Sequence, residues 1–118
     1  MLNRRLITRG EVYYIDLTPT VGSEQSGLRP CLVISNDMNN KHSPCITIIP
    51  FTSSVTKANI PTHITISANE CGLRQASIAL CEQIRTIDKR RIKNRVGVLT
   101  AEDMMRIDIA IKISLGVK

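Results

Sequence analysis

The chain predicts a mainly β (α+β) domain: a small barrel or rolled sheet with short helices and a packed C-terminal helix. Three observations predict it. Six short, largely apolar segments follow one another with turn signals between them. Only the last segment carries an apolar period of a helix. Aromatic residues are limited to Tyr13, Tyr14 and Phe51, so the core must be built from Ile, Leu and Val. With 118 residues, the whole span 1–118 is expected to be a single domain around one core.

Arg9 to Leu17 (RGEVYYIDL) reads as the first strand, apolar or aromatic on both faces and ended by a turn at Thr18-Pro19. The loop Thr18 to Arg29 is long enough to favour function over mere connection. Cys31 to Ser35 is a continuous apolar strand, and Asn36 to Pro44 is polar and turn-rich. Cys45 to Ile49 is a buried strand, expected to close at Pro50. Thr62 to Ile66 alternates, with Ile64 and Ile66 on one face and His63 and Thr65 on the other. Ala76 to Cys81 is strand-like despite its alanines. Thr86 to Ile92 reads as a short helical turn with Thr86 as N-cap, and Arg95 to Leu99 as a last short strand. Thr100 with Asp103 then resembles a capping box, using aspartate where glutamate is usual. At about 100° per residue, Met104, Ile107, Ile111 and Leu115 share one helix face. Met105, Ile109 and Ile113 form a second stripe, expected to be partly exposed or to cover a subunit contact.

Sixteen basic against ten acidic side chains give a net charge of +6, which favours an anionic partner: nucleic acid, an acidic protein or a membrane surface. The excess concentrates in Arg85, Lys89, Arg90, Arg91, Lys93 and Arg95, interrupted among acids only by Asp88. Such a run is either a solvated face or an attractor of phosphate. So few aromatics make base stacking on an aromatic platform a poor binding mode. Cys31, Cys45, Cys71 and Cys81 include no C-x-x-C pair, which argues against a zinc site or a disulfide framework. Arg4 and Arg5 are not followed by an apolar signal core, and no apolar run approaches membrane-spanning length. A cytoplasmic protein without a membrane partner is the expectation.

The stretch GSEQSGLRP, Gly22 to Pro30, carries the strongest local signal. Gly22 and Gly27 admit backbone conformations closed to other residues. Pro30 biases Arg29 toward an extended conformation just where the loop meets a strand. A guanidinium held in that way is a preorganised fork for phosphate. The plainer alternative is a solvated loop whose arginine covers the barrel end. His42 and His63 stand apart from each other and from any carboxylate cluster, so metal catalysis is unsupported. No G-x-S-x-G, G-x-x-x-x-G-K-[ST] or G-x-G-x-x-G occurs. For His63, pairing with a polar neighbour across the strands is the simpler role.

No cofactor or metal is therefore expected. RNA cleavage suits such a chain, because the nucleophile is the substrate's own 2′-hydroxyl. The protein has only to hold the phosphate in line, offset the charge growing on its oxygens and help two protons move. An arginine beside a hydroxyl meets the first two needs. Thr52, clustered with Ser53 and Ser54 after Pro50-Phe51, is a candidate for that hydroxyl; a turn-forming role is its alternative.

Taken together, RGEVYYIDL, GSEQSGLRPCLVISND (Gly22 to Asp37), IIPFTS (Ile48 to Ser53), PTH (Pro61 to His63) and EQIRTIDKRRI (Glu82 to Ile92) resemble the MazF/PemK family. These are the toxins of type II toxin–antitoxin pairs, and the match runs from Arg9 to about Leu115. The resemblance implies an SH3-like β-barrel with a C-terminal helix, working as a homodimer. It implies a metal-independent endoribonuclease that cuts single-stranded RNA at a short sequence, leaving 2′,3′-cyclic phosphate and 5′-hydroxyl ends. The family's catalytic Arg falls on Arg29 and its catalytic Thr on Thr52. RNA contacts are expected from Ser23, Glu24 and Gln25 on the first loop, from Ser53, and from Gln83 of the E-Q-I-R motif. A cognate antitoxin, binding through a flexible acidic segment, is the expected protein partner. Cys31 departs from the aliphatic residue more usual there. Asn36 to Pro44 and Val55 to Pro61 vary within the family, so cleavage specificity does not transfer. A non-catalytic RNA- or protein-binding module, and a toxin against DNA gyrase, are the rival functions.

Overall fold

The apolar residues of the first segment alternate between two cores, and that alternation organises the molecule. In the computed structural model, which describes residues 6–54, 60–68 and 71–118, β1 (Glu11–Asp16) lies between β2 (Leu28–Val33) and β7 (Ile92–Val98). Val12 joins one cluster with Leu32, Ile49, Phe51, Ile66 and Ala79. Tyr13 and Ile15 point the other way, into a cluster with Cys31, Val33, Ile46, Ile48, Ile87 and Ile92. Burial on both faces explains why these segments read as unbroken apolar runs rather than as alternating ones. Arg4, Arg5 and positions 55–59 of the variable segment Val55 to Pro61 lie outside the described residues.

The sheet is antiparallel in every pairing, in the order β4-β5-β3-β2-β1-β7. Here β3 is Cys45–Thr52, β4 His63–Ile66, β5 Ser77–Leu80 and β6 Arg85–Asp88. One edge of β3 is shared: Cys45 to Ile48 pair with β6, and Phe51 and Thr52 pair with β5. The long strand thus passes from one part of the sheet to the other.

That passage corrects the expected end at Pro50. Pro50 falls between the Ile48–Arg85 and Phe51–Ala79 pairings. A residue without an N–H removes no ladder bond in that gap, and the strand continues to Thr52. The segment Thr86 to Ile92 also differs from expectation. Thr86 and Ile87 belong to β6, and Asp88, not Thr86, caps a 3-10 turn over Lys89–Arg91 by accepting from the Arg90 N–H at 2.8 Å. The strand expected at Arg95 begins at Ile92. The polar segment after β2 forms a short helix, α1 (Asp37–His42), capped by Asn36 Oδ1 accepting from the Asn39 N–H at 2.8 Å.

The C-terminal helix α2 (Ala101–Leu115) begins where expected, with Thr100 Oγ1 accepting from the Asp103 N–H at 3.1 Å. The reciprocal half of the box is not made. Asp103 Oδ1 instead accepts from Arg106 Nη1 at 2.9 Å, and its buried Oδ2 has no hydrogen-bond partner. Ile107 and Ala110 pack into the first cluster with Met104 and Ile111 beside them. Leu115, assigned to the same face, is instead exposed in the last turn of the helix. Met105, Ile109 and Ile113 are 67%, 61% and 52% exposed in the single chain. No described helix is long and apolar enough to cross a membrane.

Candidate functional site

Arg29 and Thr52 come from neighbouring strands and line one cavity. Arg29 sits near the start of β2 opposite Ile15, and β2 is joined to β3 by the pairing of Cys31 with Pro50. Two residues beyond Pro50, Thr52 closes β3 opposite Ile78 of β5. The cavity, about 360 Å³, is lined by Arg29, Thr52 and Ser53, and also by Tyr14, Phe51, Arg74, Gln75 and Ser77.

The guanidinium is held from two sides. Its Nε donates to the Ser26 carbonyl at 2.7 Å, and Nη1 reaches the Phe51 carbonyl, next to Thr52, at 3.4 Å. Extended backbone at Arg29 is what Pro30 favours. Thr52 is 6% exposed, and its Oγ1 accepts from the Ser54 N–H at 3.2 Å. Thr52 therefore shapes the turn after β3 and also borders the cavity. Accepting from Ser54 leaves its own O–H proton free to donate elsewhere.

The first loop forms a second group. Its ends are tied by the Leu17 N–H donating to the Gly27 carbonyl at 3.0 Å. Gly27 takes a positive φ of 83°, the conformation anticipated for it. The Gln25 N–H donates to Gln83 Oε1 at 2.9 Å, so two of the expected RNA contacts, far apart in sequence, do meet. Ser23 and Glu24 are exposed. Glu24 Oε1 turns back to accept from the Val21 N–H at 2.7 Å. None of Ser23, Glu24, Gln25 and Gln83 lines the cavity, although Arg29 connects the two groups through Ser26.

Sequence reasoning missed Tyr14, Arg74, Gln75 and Ser77. Ser77 was within reach of it, because a strand at Ala76 to Cys81 paired beside β3 must bring its first residues to Thr52. Arg74 gave no signal in its own neighbourhood.

The basic run is more firmly held than a solvated face. Arg85 Nη1 donates to the Leu17 carbonyl at 2.7 Å and Lys89 Nζ to the Asn40 carbonyl at 2.6 Å. Arg91 Nη1 donates to the Asp16 carbonyl at 3.2 Å and also to that of Thr18. These bonds fix the cations without neutralising them. Arg90 and Arg95 are paired with carboxylates, Asp88 at 3.1 Å and Glu11 at 2.6 Å. Glu11 is the balancing acid that sequence proximity did not reveal. Burial pushes its carboxyl up, but bonds from Arg95, the Thr8 N–H and Tyr13 Oη outweigh burial and hold it below its ordinary value.

The other chemistries are poorly served. Burial pushes the Cys31 and Cys81 thiols up to about 12, so neither supplies a thiolate near neutral pH. His63 Nε2 pairs with Glu82 Oε2 at 2.9 Å and lies outside the cavity lining. Among the described residues no three His, Cys, Asp or Glu side chains gather as a metal site would require. What the lining offers is guanidinium, hydroxyl and amide groups, a set that fits phosphate oxygens.

Known proteins share both the sequence and the architecture. Endoribonuclease EndoA of Bacillus subtilis (strain 168) is 46% identical over 111 residues, covering 94% of this chain and 96% of that protein. The crystal structure of MazF from Deinococcus radiodurans superposes with a TM-score of 0.82 at 25% identity, over 95% of this chain and 98% of that one. An endoribonuclease from Mycobacterial species, solved in complex with its cognate antitoxin, gives a TM-score of 0.79 at 25% identity, over 95% and 97% of the two chains. Fold and relatives together define the class, an endoribonuclease toxin. The model of the PemK-like, MazF-like toxins of type II toxin–antitoxin systems matches residues 8–115. The chain belongs to that family.

Proposed function

We propose that the chain cuts single-stranded RNA, without a metal ion, by driving the 2′-hydroxyl onto the adjacent phosphorus. The 2′ O–P bond forms as the P–O5′ bond breaks, which leaves a 2′,3′-cyclic phosphate and a 5′-hydroxyl. The observation that carries this reading is the opening of Arg29 and Thr52 into one cavity.

Arg29 offsets the charge that grows on the non-bridging oxygens. Its bonds to Ser26 and Phe51 fix the guanidinium beforehand, so little reorganisation accompanies the reaction. Thr52 donates its hydroxyl to the same phosphate and holds it in line. Arginine is always protonated, so it is unsuited to accept the 2′ proton; solvent water in the cavity takes that proton, since Glu24 of the first loop accepts from the Val21 N–H and lies outside the lining. The O5′ leaving group is reprotonated by Arg29 or by water. Ser23, Gln25, Ser53 and Gln83 contact the flanking nucleotides, and the cations fixed on carbonyls at Arg85, Lys89 and Arg91 draw in the RNA backbone.

The toxin works as a homodimer in the cytoplasm, where its RNA is, as one domain over 1–118. A cognate antitoxin restrains it through an acidic, flexible segment that the net +6 charge attracts. The second cluster draws on β1, β2, β3, β6 and β7, the strands a barrel would close around one core, which supports an SH3-like form of the sheet.

Incubation of purified protein with a long single-stranded RNA in excess EDTA tests the reading. It predicts discrete fragments whose upstream ends carry a cyclic phosphate. Intact RNA, or cleavage that needs added divalent metal, contradicts it.

A further inference from the structure

We propose that Arg74 is a second phosphate-holding group of the same cavity, gripping the RNA phosphate next to the one at Arg29; this rests on the RNA-cleavage reading above. Three observations lead there. Arg74 lines the cavity with Arg29 and Thr52. Arg29 comes from β2 on one edge of β3, and Arg74 from the segment leading into β5 on the other, with Thr52 on the strand between. Two guanidinium groups that flank a central hydroxyl suit successive phosphates of one strand.

The second observation is that Arg74 makes no hydrogen bond or ion pair among the described residues. Every other described arginine has one: Arg9 with Asp108, Arg85 and Arg91 with carbonyls, Arg90, Arg95 and Arg106 with carboxylates, Arg29 with Ser26. A chain that ties down its arginines leaves this one unpaired beside a polar cavity.

The third is that the backbone under Arg74 is fixed. Cys71 and Gly72 cross β7 main chain to main chain. A Cβ on Gly72 would stand 2.4 Å from the Val96 carbonyl oxygen, and one on Gly97 would stand 2.0 Å from that of Cys71. Leu73 is buried at 4% exposure, and Ser77 Oγ donates to the Gln75 carbonyl at 3.1 Å. Arg74 is thus an exposed fork on a platform anchored on both sides, which lowers the ordering cost of binding.

The test uses the unaltered protein and the variants Arg74→Ala, Arg74→Lys and Arg74→Glu. Their Kd for a fully 2′-O-methylated single-stranded RNA, which cannot be cut, is measured over a salt series. The cleavage rate on the matching unmodified RNA is measured in parallel. Arg74→Ala is expected to weaken binding roughly tenfold. The slope of log K against log salt should fall by about 0.7, the share of one phosphate on a single strand. Arg74→Lys should restore most of both, Arg74→Glu should bind more weakly than Arg74→Ala, and kcat/KM should fall in step with the affinity. An unchanged Kd and salt slope in Arg74→Ala would overturn the assignment, and would also be the result if Arg74 served an acidic protein partner instead. Absence of cleavage by the unaltered protein would sink the nuclease reading separately, since the binding arm needs no cleavage.

Discussion

Arg95 Nε donates to Glu11 Oε2 at 2.6 Å across the β1–β7 seam, joining residues 84 positions apart. The same carboxylate accepts at its other oxygen from the Thr8 N–H at 2.8 Å and Tyr13 Oη at 3.0 Å. A buried carboxylate so fully bonded is sustained only while it is ionised.

Glu11 therefore couples stability to pH. Its folded pKa lies below the ordinary value of 4.5, so the folded state binds fewer protons than the unfolded one. The contribution is complete above the unfolded value and is lost as pH falls through the folded one. Urea unfolding midpoints should drop in the acid range below pH 4.5, and Glu11→Gln should flatten that dependence. At neutral pH the substitution should cost about 1–2 kcal/mol, the solvent contact of Arg95 moderating the loss. An acid profile unchanged in Glu11→Gln would remove Glu11 as its source.

The crossing at Gly72 should tolerate no side chain. Its φ is +86° and a Cβ would meet the Val96 carbonyl oxygen, so both strain and contact oppose Gly72→Ala. A loss of about 1–3 kcal/mol is expected, read as a lower Tm, together with weaker RNA binding through the displaced Arg74. A Tm equal to that of the parent would mean the loop moves off β7 freely.

The exposed stripe Met105-Ile109-Ile113 offers one surface for a dimer contact or an antitoxin contact. Ile109→Asp should lower the mass in solution toward that of one chain, with the helical signal retained. A mass unchanged from the parent would place the dimer contact elsewhere.

Much of this molecule could be read in its sequence. The strands β1 to β5 were legible as short apolar runs between turn signals, although β2 begins at Leu28 rather than Cys31 and β3 runs past Pro50 to Thr52. The helix α1 was not. Only Asn40 of its residues is buried, so it shows no apolar period, and a single cap specifies it. β6 was hidden because Arg85 and Asp88 are polar at both ends of a four-residue strand. Of the cavity lining, Arg29 and Thr52 were named through the family resemblance, whereas the bond between Gln25 and Gln83 comes from the fold alone. Arg74 and the Glu11–Arg95 pair were not legible, since each depends on tertiary approach between segments with no local pattern.

The most direct measurement is single-turnover cleavage of one RNA by Arg29→Ala, Thr52→Val and the double variant, each shown to be folded. If both groups act on one phosphodiester, each single variant should lose about 10²–10³ in rate, and the double variant should lose far less than the product of the two. Rates near that of the parent in a folded single variant, or losses that simply multiply, would contradict a shared site.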